Sequence, residues 1–456
     1  MRPLIPALGL ALLACPSLAP ATTIRIDASG GGDFLTIQEG LSAAVGGDTV
    51  LVAAGVYAGP GNRDLDFAGR AITLTSEDGP DATVIDCSYA GRAFYFHSGE
   101  SAASVVSGFT IRNGESAEWG GGVFCESASP AIEACVIAGC RTGVGTQMGR
   151  GGGVYCSYSS ITLTDCTFTG NWADEGAAMY AADSSPILTG CRLVANEAGR
   201  GGGGIRILRG GAGAHLTGCT LAGNRALTYG GGVYCCYSQP VITACTITGN
   251  AATNGGAIYG YEAAPTVTNT ILAFSTIGAA VYCPSSAFTI TGCCSFGNAG
   301  GDTLCGTEYG NVFADPAFCD TTGGAFWLQD CSPCLGSGVG GLDIGAWGEG
   351  CPCDTSTSVP DGTDVPALSV HPNPAAGCVQ LSLTLPAGYG EARVTIYDLR
   401  GRVVRELAPV PSSDSGVSVL SWDGRDARGG VAPSGVYFAR VEAESVPLVR
   451  KVVLLR

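Results

Sequence analysis

The stretch Gly230-Gly231-Gly232-Val233-Tyr234-Cys235, continuing to Cys245-Thr246-Ile247-Thr248-Gly249-Asn250, recurs in related form on both sides of itself. The apolar residue after each glycine cluster is Val123, Val154, Met179, Ile205, Val233, Ile258 and Val281, at intervals of 31, 25, 26, 28, 25 and 23 residues. A period of this size marks a solenoid, in which each repeat buries its apolar face only against its neighbours. A second column reads Cys135, Cys166, Cys191, Cys219, Cys245, Thr270 and Cys293, with Ile132, Leu163, Leu188, Leu216, Ile242, Val267 and Ile290 three residues earlier. These runs alternate with period two, are rich in Val, Ile, Thr and Tyr, and are broken by Gly, Asn and Asp, which leaves no room for a helix. The reading is all-β: a right-handed parallel β-helix solenoid over residues 22–352.

Alternation assigns faces. Val233 and Cys235 point inward, so the residue between them points out. The outward column is Phe124, Tyr155, Tyr180, Arg206, Tyr234, Tyr259 and Tyr282. The stacked cysteines inside are read as small apolar residues. Asn171, Asn196, Asn224 and Asn250 each follow a column cysteine by five residues, which predicts an amide ladder at a turn. The motifs Gly255-Gly256-Ala257-Ile258 and Phe168-Thr169-Gly170-Asn171 resemble the short repeats of the polymorphic outer-membrane proteins, a resemblance that implies a β-helix.

Residues 1–21 read as a secretory signal, with Arg2, an apolar run from Leu4 to Ala14, and Ala19-Pro20-Ala21 as a small-residue cleavage site; Leu12-Leu13-Ala14-Cys15 offers a lipoprotein alternative. The mature chain has no run long and apolar enough to span a bilayer as a helix. Of 456 residues, 72 are Gly and only 14% are charged, which excludes a disordered polyelectrolyte and calls for many tight turns. The net charge is −16, and residues 365–456 carry ten Lys or Arg against eight Asp or Glu, so residues 1–364 carry −18. Nucleic acid is therefore excluded as a partner of the solenoid.

Stacked cysteines have parallel side-chain vectors and do not suit disulfides. Of the 22 cysteines, the pairs are expected among Cys305, Cys319, Cys331, Cys334, Cys351 and Cys353; zinc at Cys331-Ser332-Pro333-Cys334 is the competing reading.

Near the amino terminus, Thr36-Ile37-Gln38-Glu39 is a capping-box pattern, with Ile37, Leu41 and Ala44 on one face of a short helix placed to cover the open end of the solenoid. The segment Gly32-Asp33-Phe34 to Val52, with Gly55-Val56-Tyr57, resembles the amino-terminal cap of the pectin-lyase-like superfamily. Ala314-Asp315-Pro316-Ala317-Phe318, Phe326-Trp327-Leu328 and Leu342-Asp343-Ile344-Gly345-Ala346-Trp347 resemble the closing segment of secreted bacterial β-helix proteins. About a dozen coils at ~4.8 Å each make a rod on the order of 60 Å long.

Residues 353–366 are a Ser, Thr, Pro and Asp linker, and residues 367–456 read as a small Ig-like β-sandwich. There, His371-Pro372-Asn373-Pro374, Ile396 to Arg402, Trp422-Asp423-Gly424-Arg425 and Ser434-Gly435-Val436-Tyr437 resemble the type IX secretion sorting domain and the Ig-like domain of flagellar hook-capping protein. The resemblance implies an exported chain, secreted or held at the cell surface, whose carboxy-terminal domain engages outer-membrane secretion machinery.

Two outer features carry chemistry. Tyr155, Tyr180, Tyr234, Tyr259 and Tyr282 would stack on sugar rings of a polysaccharide or cell-surface glycan, with Arg206 bonding a hydroxyl or uronate; cross-strand stacking that merely stabilises the sheet accounts for the same column. The residue pairs entering the glycine clusters are Glu118 and Trp119, Gly149 and Arg150, Asp174 and Glu175, Arg200 and Gly201, Thr228 and Tyr229. Asp174 and Glu175, flanked by Arg150 and Arg200, suit either an acid/base pair or a Ca2+ site with an arginine base; a surface ion-pair ladder is the plainer account. The paired-aspartate, histidine and Arg/Lys signature of polygalacturonases and the clustered aspartates of calcium-dependent lyases do not occur. The reading is a secreted or surface β-helix that binds glycan, adheres or serves structurally, with a polysaccharide lyase or glycoside hydrolase as the alternative.

Overall fold

In the computed structural model, the described residues are 21–143, 148–210, 213–320 and 326–353 of the solenoid and, in the carboxy-terminal unit, 367–371, 379–384, 392–398, 402–407, 417–442 and 448–454. The signal segment, the linker beyond Cys353 and part of the sorting-domain motifs lie outside them. The chain divides into two compact units, 1–353 and 354–456.

A full coil of the first unit runs through four parallel sheets, shown by Ala131–Glu133, Val136–Ala138, Arg141–Thr142 and Val154–Ser157. The first sheet holds 12 strands, the second 10, the short third 5 and the fourth 8. The apolar columns of the sequence are the strand register itself. Val123 pairs with Val154, then Met179, Ile205, Val233, Ile258 and Val281 in the fourth sheet. Ile132 starts the corresponding series in the first. These side chains are buried in one continuous core.

The glycine clusters do two jobs. Gly230 has φ +56°, a backbone that side chains resist, and at Gly231 a Cβ would lie 2.5 Å from the Gly256 carbonyl oxygen of the next coil. Where Gly260 replaces the inward cysteine, the ring of Phe288 occupies the vacated space.

The asparagines form the ladder. The side-chain amide of Asn171 donates to Oδ1 of Asn196 (2.9 Å), Asn196 to Asn224 (2.9 Å) and Asn224 to Asn250 (3.0 Å), all four buried. Each acceptor oxygen also takes the backbone N–H of the preceding asparagine, and each amide donates upward to a carbonyl of the coil before, as Asn196 does to Phe168. The column cysteines do the same work more weakly than the apolar reading allows: the thiols of Cys166, Cys191, Cys219 and Cys245 point at the carbonyls of Ile132, Leu163, Leu188 and Leu216 at 3.4–3.5 Å. Burial pushes the Cys135 thiol up to about 11 and those of Cys140, Cys235 and Cys293 up to about 12.

At the start, helix α1 spans Ile37–Ala43, with the Thr36 N–H donating to Glu39 Oε2 at 3.0 Å and Ile37 and Leu41 buried against the first strands. At the far end, Leu304 joins the core, and its neighbour Cys305 is bonded to Cys283. The segment expected to close the solenoid instead lies along its flank. Phe318, Phe326, Leu328, Cys334 and Ile344 pack on Ala222, Ile271 and Ala273 of the second sheet, and Trp347 Nε1 donates to Thr220 Oγ1 at 2.8 Å. The other disulfides are Cys319–Cys351 and Cys331–Cys353. Cys283 thus enters the set, Cys334 leaves it as a buried thiol, and Cys331 of the competing zinc motif is paired with Cys353 rather than placed with Cys334.

The second unit is antiparallel throughout, with Ala367–His371, Val379–Thr384 and Val417–Trp422 in one sheet and Val403–Glu406, Arg393–Asp398, Gly435–Glu442 and Leu448–Leu454 in the other. Trp422 is buried edge-on to Tyr437 (5.0 Å), whose hydroxyl donates to the Pro433 carbonyl. The seven strands form the Ig-like sandwich that the sequence leads one to expect for residues 367–456.

Asn196→Ala should lower solenoid stability by about 3 kcal/mol, because the amide and backbone N–H groups of Asn171 and the Phe168 carbonyl all lose a buried partner at once. Urea unfolding of the variant beside wild type measures it.

Candidate functional site

The outward column and the loop pairs, separate features in the sequence, form one structure. In the short bridges entering the fourth sheet, Trp119 pairs with Arg150, Arg150 with Glu175, Glu175 with Gly201, and Gly201 with Tyr229. Their side chains lie over the aromatic column. Trp119 stacks on Tyr155 (5.6 Å, 15°), Arg150 sits over the Tyr180 ring (5.3 Å), and Tyr229 packs on Tyr234 and Tyr259 (5.6 and 4.8 Å). Tyr155, Tyr180, Tyr234 and Tyr259 are consequently only 1–8% exposed and offer no open ring face; Tyr282, beyond the last covering side chain, is 47% exposed. Burial pushes the phenols of Tyr155, Tyr180 and Tyr234 up, and the Arg206 charge opposes the shift at the last two.

Glu175 is the electrostatic centre of this layer. Arg206 Nη1 contacts its Oε1 closely, Arg200 Nη1 approaches the same oxygen at 3.6 Å, and Arg150 Nε approaches Oε2 at 3.5 Å. Arg206 is itself held between Tyr180 and Tyr234, its guanidinium 5.5 and 4.5 Å from the ring centres. Burial alone would lower the Arg206 pKa; the Glu175 carboxylate outweighs it and keeps the group charged. Arg150 and Arg200 thus flank Glu175 as the spacing predicts, and Arg206 is the third member that the sequence reading placed with the ligands.

Asp174 does not join them. Its Oδ2 accepts the Gly149 N–H at 2.7 Å. The two carboxylates therefore have different partners, a backbone N–H for Asp174 and three guanidiniums for Glu175. Three guanidiniums around one carboxylate also leave a surplus of positive charge, so a Ca2+ site does not fit at this loop.

Where the covering layer begins, the aromatics are open. A cleft of about 380 Å³ is lined by Arg92, Tyr95, Ser116, Ala117, Glu118, Trp119, Phe124 and Glu126. Tyr95 and Trp119 are 36% and 38% exposed. The Arg92 guanidinium lies 5.2 Å from the Tyr95 ring centre and 5.0 Å from that of Phe124, and its Nη2 donates to Ser116 Oγ (3.0 Å). Burial lowers the Arg92 pKa, and Asp64 opposes that. His97, its ring tilted against that of Tyr95 at 4.2 Å and lying 3.6 Å from Asp66, stands at the margin. A larger recess of about 630 Å³ borders α1, but its Thr36 and Glu39 are already spent on the capping box. Tyr95 occupies the aromatic column one coil before Phe124, in register with it. No glycine cluster precedes Phe94, so only the Phe94-Tyr95-Phe96 alternation marked this coil in the sequence.

The description "right handed beta helix region" matches residues 53–193 and 152–318. The chain belongs to the right-handed β-helix family. Residues 373–446 match the FlgD Ig-like domain. No curated protein matches the chain significantly. Among solved structures, pectate lyase Pel9A is similar over 73% of this β-helix chain and 98% of its own, at 13% identity and TM-score 0.40. Pectin methylesterase from carrot covers 65% and 90% at 14% identity and TM-score 0.37. Dimeric latent PorU from Porphyromonas gingivalis matches 21% of this chain at 23% identity and TM-score 0.19, and the chain spans only 10% of PorU.

Glu175→Gln should cost the β-helix about 3 kcal/mol by leaving the nearly buried Arg206 guanidinium without its counter-charge, and differential scanning calorimetry reads the drop in Tm. An unchanged Tm would show that the arginines are not held by Glu175.

Proposed function

We propose that this β-helix is an extracellular, non-catalytic glycan-binding protein whose binding site is the Tyr95–Trp119 cleft. The observation that carries it is the pairing of two half-exposed aromatic rings with Arg92, Glu118 and Glu126 in one concave site. Ring faces take the apolar faces of a sugar, and the charged rim bonds its hydroxyls. The size suits one or two sugar rings at the lower end of ordinary ligand pockets, which run from about 300 Å³ upward. Against a lyase or glycosidase stands the engagement of both expected carboxylates, Glu175 by arginines and Asp174 by backbone.

Trp119→Ala should weaken glycan binding roughly tenfold, since a platform ring contributes up to about 1.5 kcal/mol beyond the area it buries. Affinity electrophoresis in gels cast with xylan, β-glucan or polygalacturonate tests this, with a reducing-end assay on the same polymers run alongside. Product release from any of them would replace the binding reading with an enzymatic one.

Export through the carboxy-terminal Ig-like unit belongs to the same reading and rests on the motif resemblance from His371 onward. Removing residues 366–456 should leave the β-helix inside the producing cell's envelope, as fractionation would show. Undiminished secretion of the truncated chain would refute that assignment.

A further inference from the structure

Seven successive coils pass from the fourth sheet to the first through one residue in the left-handed region, and these stack as Ser127, Tyr158, Asp183, Arg209, Tyr237, Glu262 and Ser285, with φ between 45 and 55°. The column is in register, since the N–H groups of Tyr158, Asp183, Arg209 and Tyr237 each bond a carbonyl of the following coil at 2.9–3.2 Å. The other turn columns meet the same backbone demand mostly with small residues, as at Gly151, Gly170, Gly190, Gly218, Gly223, Gly230 and Gly249. This one contains no glycine and places tyrosine there twice.

A bulky side chain in this conformation is strained, and the strain persists only where something else selects the residue. Burial does not select these two, because Tyr158 is 67% exposed and Tyr237 50%. Between them Arg209 grips Asp183 through two bonds, at 2.8 and 2.7 Å. Beside Tyr237, the half-open ring of Tyr261 meets it edge-on at 5.6 Å. The ridge is therefore aromatic, then charged and forked, then aromatic, over three coil steps or roughly 14 Å.

We propose that this ridge is a second contact for an extended glycan chain lying along the solenoid axis, continuing from the Tyr95–Trp119 cleft. The proposal rests on the glycan-binding reading. Glu126 of the cleft precedes Ser127, the first residue of the ridge, so a chain leaving the cleft meets Tyr158 one coil further on. The tyrosines take ring faces and the Asp183–Arg209 fork takes the hydroxyls between them. A protein partner would instead favour an enclosed apolar anchor, which a projecting turn does not supply.

The test is the double variant Tyr158→Asn, Tyr237→Asn, since asparagine accepts positive φ. Binding of short xylan, β-glucan and polygalacturonate oligomers and of their parent polymers is compared by calorimetry. Short oligomers, held in the cleft, should bind as to wild type; the polymer should lose its extra affinity, roughly fivefold or more per ring. Tm should stay level or rise by roughly 1–2 °C as the strain is relieved. An unchanged polymer-to-oligomer ratio overturns the ridge and leaves the cleft standing. A fall in Tm of several degrees, with binding lost in proportion, makes the tyrosines structural and also overturns it. If wild type binds neither oligomer nor polymer, the glycan reading fails and the ridge with it.

Discussion

The constraint on which this molecule depends is that no coil can satisfy its own backbone. Every strand of three or four residues sends its N–H and C=O groups alternately to the coil before and the coil after, so a coil is stable only between two others of the same path. From this follows the sequence: apolar columns at near-constant intervals, asparagines that bond both neighbours, and glycines where two backbones come too close for a Cβ. The ends, which lack a neighbour, are where the chain spends its exceptions: a capped helix at one and Leu304 with a disulfide at the other.

Because the constraint repeats, most of the fold was legible. Val123 to Val281 and Ile132 to Ile290 could be aligned on paper, and the alignment is the strand register. The ladder from Asn171 to Asn250 could be read for the same reason. What could not be read depends on contacts made once. Cys283 finds Cys305 only because the last coil returns there, and the stretch ending at Trp347 finds the flank of the second sheet through Thr220 and Ala222, far earlier in the chain.

The candidate site shows a subtler failure. Alternation correctly turned Tyr155, Tyr180 and Tyr234 away from the core, but turning away from one core is not exposure. The strands entering the glycine clusters lay Trp119, Arg150 and Tyr229 across those rings and build a second, thinner packed layer outside the sheet. Within it Arg206 interrupts the aromatics because Glu175 lies opposite, and Glu175 is tolerable there because arginines surround it. The pairing of columns from two strands of one coil fixes this, and a single-strand period does not contain it. Within that column, Tyr95 and Tyr282 stay open, where the overlay runs out.

The interior thiols give the rod an asymmetry in time. Among the described residues, fourteen cysteines are unbonded and buried, and at Cys135, Cys140, Cys235 and Cys293 burial holds the proton on. Enclosed, they are inert; released into an oxidising medium, they would ionise, oxidise and cross-link with whichever thiol they met. A coil that opens briefly can close again, whereas a coil that stays open long enough to oxidise cannot, because a mispaired bridge no longer fits between two sheets. Such a rod ages by discrete, one-way losses, and its lifetime is set by how seldom its coils open rather than by its equilibrium stability.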